Sequence, residues 1–192
     1  MQFAEQGPYI LSSCNIHDIT LNGNIFINNS SLLSNSQLDN TTLEMIGEKL
    51  YLKITPPISS MQMFSNTDFI TGTNLTSLII HSDVTIDDTE VVSRGQIAFC
   101  QNNNALTMVE IHGAFNVNVS DDSTYSYIFN SNSLLTDLYF YDDDNFSITS
   151  SGNRAFLFTN NNANFKIHGI AGGNVEAYCT AHSIPFEVIV NE

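Results

Sequence analysis

Positive charge is what this sequence has least of. Five Lys and Arg residues stand against 20 Asp and Glu, giving a net charge of −15. Each phosphate contact on a nucleic acid needs a basic side chain. Lys49, Lys53, Arg94, Arg154 and Lys166 are too few and too scattered to supply them. Nucleic acid and anionic lipid are therefore excluded as partners, whereas a cation, a neutral glycan or a basic protein patch fits. No apolar run approaches the roughly 18 residues that a membrane-spanning helix needs. The N-terminal MQFAEQGPYILSS has no basic segment followed by an apolar one, so it is not read as a signal peptide. The expectation is either a piece of a longer exported protein or a chain used without such export, such as a virion component.

Cysteine is scarce as well. Cys14, Cys100 and Cys179 are far apart and form no C-x-x-C pair, which removes a zinc ribbon and a redox dithiol. Buried free thiols are expected. Motifs of the G-x-S-x-G, H-E-x-x-H and phosphate-loop types are absent, and nothing singles out a carboxylate pair for glycoside cleavage. The chain is read as a non-enzyme. Trp is missing, so the aromatic share rests on 13 Phe and 7 Tyr.

What is present is a core-forming apolar fraction of 42% in a chain whose polarity comes from Asn, Ser and Thr rather than from charge. Asn and Ser serve turns and Thr serves strands, which predicts a mainly β chain. Four segments repeat: LTSLIIH from residue 75, LTMVEIH from 106, LTDLYFY from 135 and ANFKIH from 163. Leu78, Val109, Leu138 and Phe165 share one position, and Ile80, Ile111, Phe140 and Ile167 the next but one, the period-2 signature of a strand with one buried face. Phe69, Phe99, Phe129 and Phe156 precede them at steps of 30, 30 and 27. Second apolar pairs follow the first three strands at Val84 and Ile86, Val117 and Val119, and Phe146 and Ile148. A degraded earlier unit is read at 43–55, with Leu43 in the Phe place and Leu52 in the strand.

A unit of this kind cannot bury its apolar face alone, so the units must stack. The expectation is a parallel β solenoid of about 4–5 rungs, its corners made by Asn-rich loops such as QNNN and TNNNAN, since Asn tolerates left-handed backbone. The chain then divides into an N-terminal cap or assembly segment (1–60), the repeats (61–168) and a C-terminal cap (169–192). In that cap GIAGG halts the repeat, Asn174 is the expected helix N-cap, and Val175, Tyr178, Cys179 and His182 fall on one buried helical face. IPFEVIV reads as a closing strand with Pro185 at its edge.

TNLTSLIIHSDVTI (73–86) resembles the BspA-like leucine-rich repeat. Ala98-Phe99-Cys100 is similar to that family's corner, with the Cys shifted, and KIHGIAGGNVEAYCTAHSIPFEVI is similar to its common ending. The likeness covers about residues 64–192 and departs where the family has Pro after the strand. It implies a leucine-rich-repeat solenoid without catalytic machinery, of a kind found on bacterial surfaces and in phage-associated proteins.

Two sets of residues are candidates for contact. His81, His112, Tyr141 and His168 each follow the last apolar residue of a strand and would form a column. Tyr125, Tyr127, Tyr139 and Tyr141 would offer contact surface to a partner. Asp121 and Asp122, and Asp142, Asp143 and Asp144, are weak calcium candidates, because oxygen-rich corners suit that ion; no metal site is assigned and no cofactor is expected. Sequons such as those at Asn74, Asn118 and Asn145 follow from composition. The function expected is recognition or adhesion, binding a protein or glycan at a bacterial or virion surface. The alternative is a phage structural protein of the tail, baseplate or capsid surface, with its N-terminal segment docked into the particle.

Overall fold

A computed structural model describes residues 19–22, 25–28, 31–34, 42–46, 49–53, 65–87, 95–119, 124–150 and 155–190. Among these the chain is mainly β, with parallel sheets and one helix. The strands come in threes: β1 (Ile19–Asn22), β2 (Ile25–Asn28), β3 (Ser31–Ser34); β4 (Thr42–Ile46), β5 (Lys49–Lys53), β6 (Ser65–Thr71); β7 (Ser77–Ile80), β8 (Asp83–Asp87), β9 (Gly95–Gln101); β10 (Met108–Ile111), β11 (Phe115–Val119), β12 (Thr124–Asn130); β13 (Asp137–Phe140), β14 (Phe146–Ser150), β15 (Ala155–Phe156). The chain then adds β16 (Lys166–Gly169), helix α1 (Asn174–His182) and β17 (Phe186–Val188).

The first strand of each three joins a seven-stranded sheet in the order β1-β4-β7-β10-β13-β16-β17. The second joins β14-β11-β8-β5-β2, and the third β15-β12-β9-β6-β3. Every ladder is parallel; each strand from β1 to β13 pairs with the one three places further along the chain, and β17 pairs with β16. The expected neighbours 77–80, 108–111 and 137–140 are parallel partners in one sheet, with Leu78, Val109 and Leu138 in register.

Inward side chains of all three sheets meet in one core. Leu78 and Ile80 come from β7, Val84 and Ile86 from β8, and Ile97 and Phe99 from β9. Phe99 shows the arrangement best. Its ring lies 5.4 Å from Phe69 and 5.3 Å from Phe129 along its own sheet, and 5.9 Å from Phe115 of the second sheet. Burying one such side chain is worth about 1.5–3 kcal/mol, and each aromatic pair adds roughly 0.5–1.5 kcal/mol.

One corner is held by a ladder of buried side-chain amides. Gly72, Asn102, Ser131 and Asn160 take left-handed backbone, with φ of 64°, 57°, 57° and 58°. The residue after each one points inward. Thr73 donates its backbone N–H to Asn103 Oδ1 at 3.0 Å, Asn103 donates to Asn132 Oδ1 at 3.0 Å, and Asn132 donates to Asn161 Oδ1 at 3.0 Å. The amide groups of Asn132 and Asn161 also donate back to the carbonyls of Cys100 (3.0 Å) and Phe129 (2.8 Å). Asn103 and Asn132 are fully buried, and the ladder satisfies polar groups that would otherwise be orphaned at about 1–3 kcal/mol each.

The fourth repeat sits two residues later than its spacing suggests. Phe129 stacks on Phe158 at 5.8 Å, while Phe156 stands in register with Tyr127. Ile167, not Phe165, pairs with Leu138. The next inward place falls to Gly169, because the cap helix already fills that space: a β-carbon on Gly169 would lie 2.9 Å from Val175 Cβ. In the early unit, Leu43 stands opposite Leu78 and Leu52 opposite Ile86, so those leucines belong to β4 and β5 and the sheets extend back to β1.

Helix α1 starts at Asn174, but Gly173 is the N-cap and no side chain of its own caps it. The capping group comes from the preceding unit. Asp143 accepts the backbone N–H of Asn174 at 2.6 Å and of Val175 at 3.0 Å, and its carbonyl accepts from Asn174 Nδ2. Val175 and Cys179 are buried; His182 is exposed, its ring tilted against Tyr178 with centroids 4.3 Å apart, which corrects its expected burial. Strand β17 closes the seven-stranded sheet, with Ile167 donating to the Pro185 carbonyl at 2.9 Å. Cys100 and Cys179 are free and buried, and burial pushes their thiols up to about 12 and about 11. Cys14 lies outside the described residues.

Candidate binding face

The outer face of the seven-stranded sheet collects the candidate side chains. In strands β7, β10 and β13 the alternate residues face out. Parallel register then aligns Glu44, Ile79, Glu110, Tyr139, His168 and Glu187 in one column, in which His168 is buried beneath its neighbours at 5% exposure. Beside it, Asp137 stands opposite Lys166.

His81, His112 and Tyr141 stack in a line just past the strand ends. The ring centroids are 4.7 Å apart for His81 and His112 and 4.3 Å for His112 and Tyr141. His168 does not join that line. The two-residue shift of the fourth repeat puts it opposite Tyr139, stacked at 4.1 Å. Tyr139 and Tyr141, two residues apart on one chain segment, lie 6.2 Å from each other and join the two stacks into a single row.

Each histidine in the row has a carboxylate. His81 Nε2 lies 3.0 Å from Glu44, His112 Nε2 3.0 Å from Glu110, and His168 Nε2 2.8 Å from Asp137. Lys166 pairs with Glu187 and lies 3.8 Å from Asp137. Burial alone would raise Asp137, but the Thr136 hydroxyl, the His168 ring and Lys166 outweigh it and hold the carboxyl below its usual range. Burial first, then neighbouring carboxylates, pushes the Tyr139 and Tyr141 phenols up, with Asp137 acting on Tyr139 and Glu110 on Tyr141. The hydrogen bond and charge of Lys166 hold Glu187 low, and Glu187 holds Lys166 high.

Two depressions flank the last strands of this face. One, of 290 Å³, is lined by Tyr141, Ile170, Ala171, Val188 and Ile189. The other, of 460 Å³, is lined by Thr136, Asp137, Asn164, Lys166 and Pro185 among others. Ile170 and Val188 are 50% and 42% exposed, large values for branched aliphatic side chains.

The remaining candidates lie elsewhere. Tyr125 and Tyr127 stack on each other at 6.1 Å, but on β12 of the third sheet, so the four tyrosines form two pairs on two sheets. Asp143 is committed to the helix N-terminus, and Asp142 accepts from the side chain of Asn145 at 3.0 Å. Asp144 is exposed, and Asp121 and Asp122 lie outside the described residues. Among the described residues no group of three or more His, Cys, Asp or Glu is placed to hold a metal ion. Glu44, Glu110, Asp137, Lys166 and Glu187 are members of the face that residue spacing did not single out; the parallel register is the signal that finds them.

Compared with known proteins, the chain matches no family model, no curated protein and no solved structure.

Proposed function

We propose that this chain is a non-enzymatic recognition module, adhesive in character, that contacts a protein or glycan at a bacterial or virion surface through the outer face of its seven-stranded sheet. The three parallel sheets are then the walls of one β solenoid of about five rungs and of leucine-rich-repeat kinship, closed by β16, α1 and β17. The observation that carries the reading is the row His81, His112, Tyr141, Tyr139 and His168, lined by carboxylates on one rigid sheet. Tyrosine offers large contact area at low conformational cost, and mutual stacking orders these rings before any partner arrives. Carboxylates that pin the imidazoles add to that order. Such a face suits binding rather than bond-breaking.

The test is saturable binding of the labelled full chain to intact bacteria, compared with His112→Ser. Loss of affinity at unchanged melting temperature supports the reading. Equal binding by the variant, or no saturable binding by the parent chain, contradicts it.

A phage structural role is the second reading. What favours it is that β1, β2 and β3 end the three sheets on the same side, where a neighbouring subunit's strands could add. Deletion of residues 1–18 would then abolish particle incorporation as seen by electron microscopy.

A further inference from the structure

We infer that the partner of this face is a basic protein segment carrying one apolar anchor, rather than a sugar chain. The inference rests on the outer face being a recognition surface and goes on to specify the partner's chemistry.

Three observations point the same way. The first is the lining of the 290 Å³ cleft beside the aromatic row. Ile170, Ala171, Val188 and Ile189 offer only aliphatic side chains, so the polar part of the lining is left to backbone groups and the Tyr141 hydroxyl. A sugar presents a hydroxyl at nearly every carbon, and each one desolvated without a partner costs roughly 1–3 kcal/mol. A branched aliphatic or aromatic side chain entering the same cleft would cover Ile170 and Val188 without that penalty.

The second observation is the use of the rings. Sugars stack on open ring faces. His112 has His81 on one side at 4.7 Å and Tyr141 on the other at 4.3 Å, and Tyr139 is covered by His168 at 4.1 Å. His112 therefore has neither ring face free, and Tyr139 has one taken.

The third is charge. Glu44, Glu110, Asp137 and Glu187 line the face, each facing a histidine or Lys166, and among the described residues Lys166 is the one Lys or Arg there. A chain of net charge −15 repels a second copy of itself, so self-docking through this face is disfavoured. Lysines or arginines flanking the anchor would meet the carboxylates, and the phenol oxygens of Tyr139 and Tyr141 can accept from them. Such steering also makes association faster at low salt.

The experiment titrates the isotopically labelled full chain, by nuclear magnetic resonance, with two probes. One is a short peptide alternating lysine and leucine. The other is a set of neutral oligosaccharides. The expected result is that the peptide shifts the amide signals of Tyr141, His168, Ile170 and Val188. Its affinity should fall about tenfold in Ile170→Asp and weaken in Glu110→Gln and at higher salt, with the melting temperature of each variant near that of the parent chain. Shifts from an oligosaccharide at these residues, with none from the peptide, would keep the face as a recognition surface and overturn the peptide assignment. Shifts from neither probe at these residues would overturn both. Peptide binding that is indifferent to Ile170→Asp would overturn the anchor cleft.

Discussion

Gly173 lies so close to Asp143 that a β-carbon built on it would sit 1.9 Å from a carboxylate oxygen. That carboxylate is buried and accepts the first two helical N–H groups of α1. The glycine is therefore demanded by close approach. Its φ of −92° is open to any residue. Negative charge at a helix N-terminus is favourable, and a lost N-cap costs about 1–2 kcal/mol. Asp143→Ala should lower stability by about that amount, and Gly173→Ala should do the same by expelling the carboxylate. Because both break one contact, the double variant should cost clearly less than the sum. Urea denaturation of the three variants checks this; full additivity would show that Asp143 does not cap the helix.

The amide ladder makes a second prediction. Asn132→Ala removes acceptors from Asn103 and donors to Cys100, all of them buried. The expected cost is about 2–3 kcal/mol, from unsatisfied groups rather than lost volume. Asn104, next to Asn103 and exposed, is the control, and Asn104→Ala should change stability by no more than about 0.5 kcal/mol. Equal midpoints in urea for the two variants would contradict the ladder.

Thiol chemistry offers a third. With thiols pushed up to about 12 and about 11, and both side chains buried, Cys100 and Cys179 should be inert to a disulfide reagent at neutral to mildly basic pH. In a Cys14→Ser background no thiol should react until the chain unfolds, and then two should. Rapid reaction of either in the native state would contradict their placement.

Acid should reveal the His168–Asp137 pair. The folded-state pKa of Asp137 is depressed, so its contribution to stability is complete above the ordinary aspartate value of about 3.9. It is lost as the pH falls through the folded value. In Asp137→Asn this part of the acid sensitivity should disappear. Melting temperatures of parent and variant should therefore converge as the pH drops below about 4. A constant gap between them would show that the carboxylate is not stabilised in the fold.

How far these features can be read in the sequence depends on a period of two. The apolar alternation placed Leu78, Val109 and Leu138 correctly, because an inward column repeated once per unit leaves a strong signal. In the fourth unit Ile-His at 167–168 copies Ile-His at 80–81 and 111–112 and points to a register two residues off. A slip of two residues keeps every side chain on its own face, so no burial pattern could warn against it; a slip of one would have turned the strand inside out. The Asn ladder does fix the register, since Asn103, Asn132 and Asn161 are evenly spaced, but its meaning depends on the left-handed residue before each one. The candidate face was half legible. The His and Tyr residues stand out by type, while Glu44, Glu110 and Glu187 become partners only once strands distant in sequence are aligned. The Asp143 cap joins positions 31 and 32 residues apart and has no local signature.

The central claim is that one face of one sheet recognises the partner, and the two tyrosine pairs test it most directly. Binding of the full chain to bacterial surfaces should be measured for Tyr139→Ser with Tyr141→Ser, and for Tyr125→Ser with Tyr127→Ser. The account predicts a loss of about tenfold or more in the first double variant and near-parental binding in the second. Loss in the second with retention in the first would place recognition on the third sheet and contradict the account.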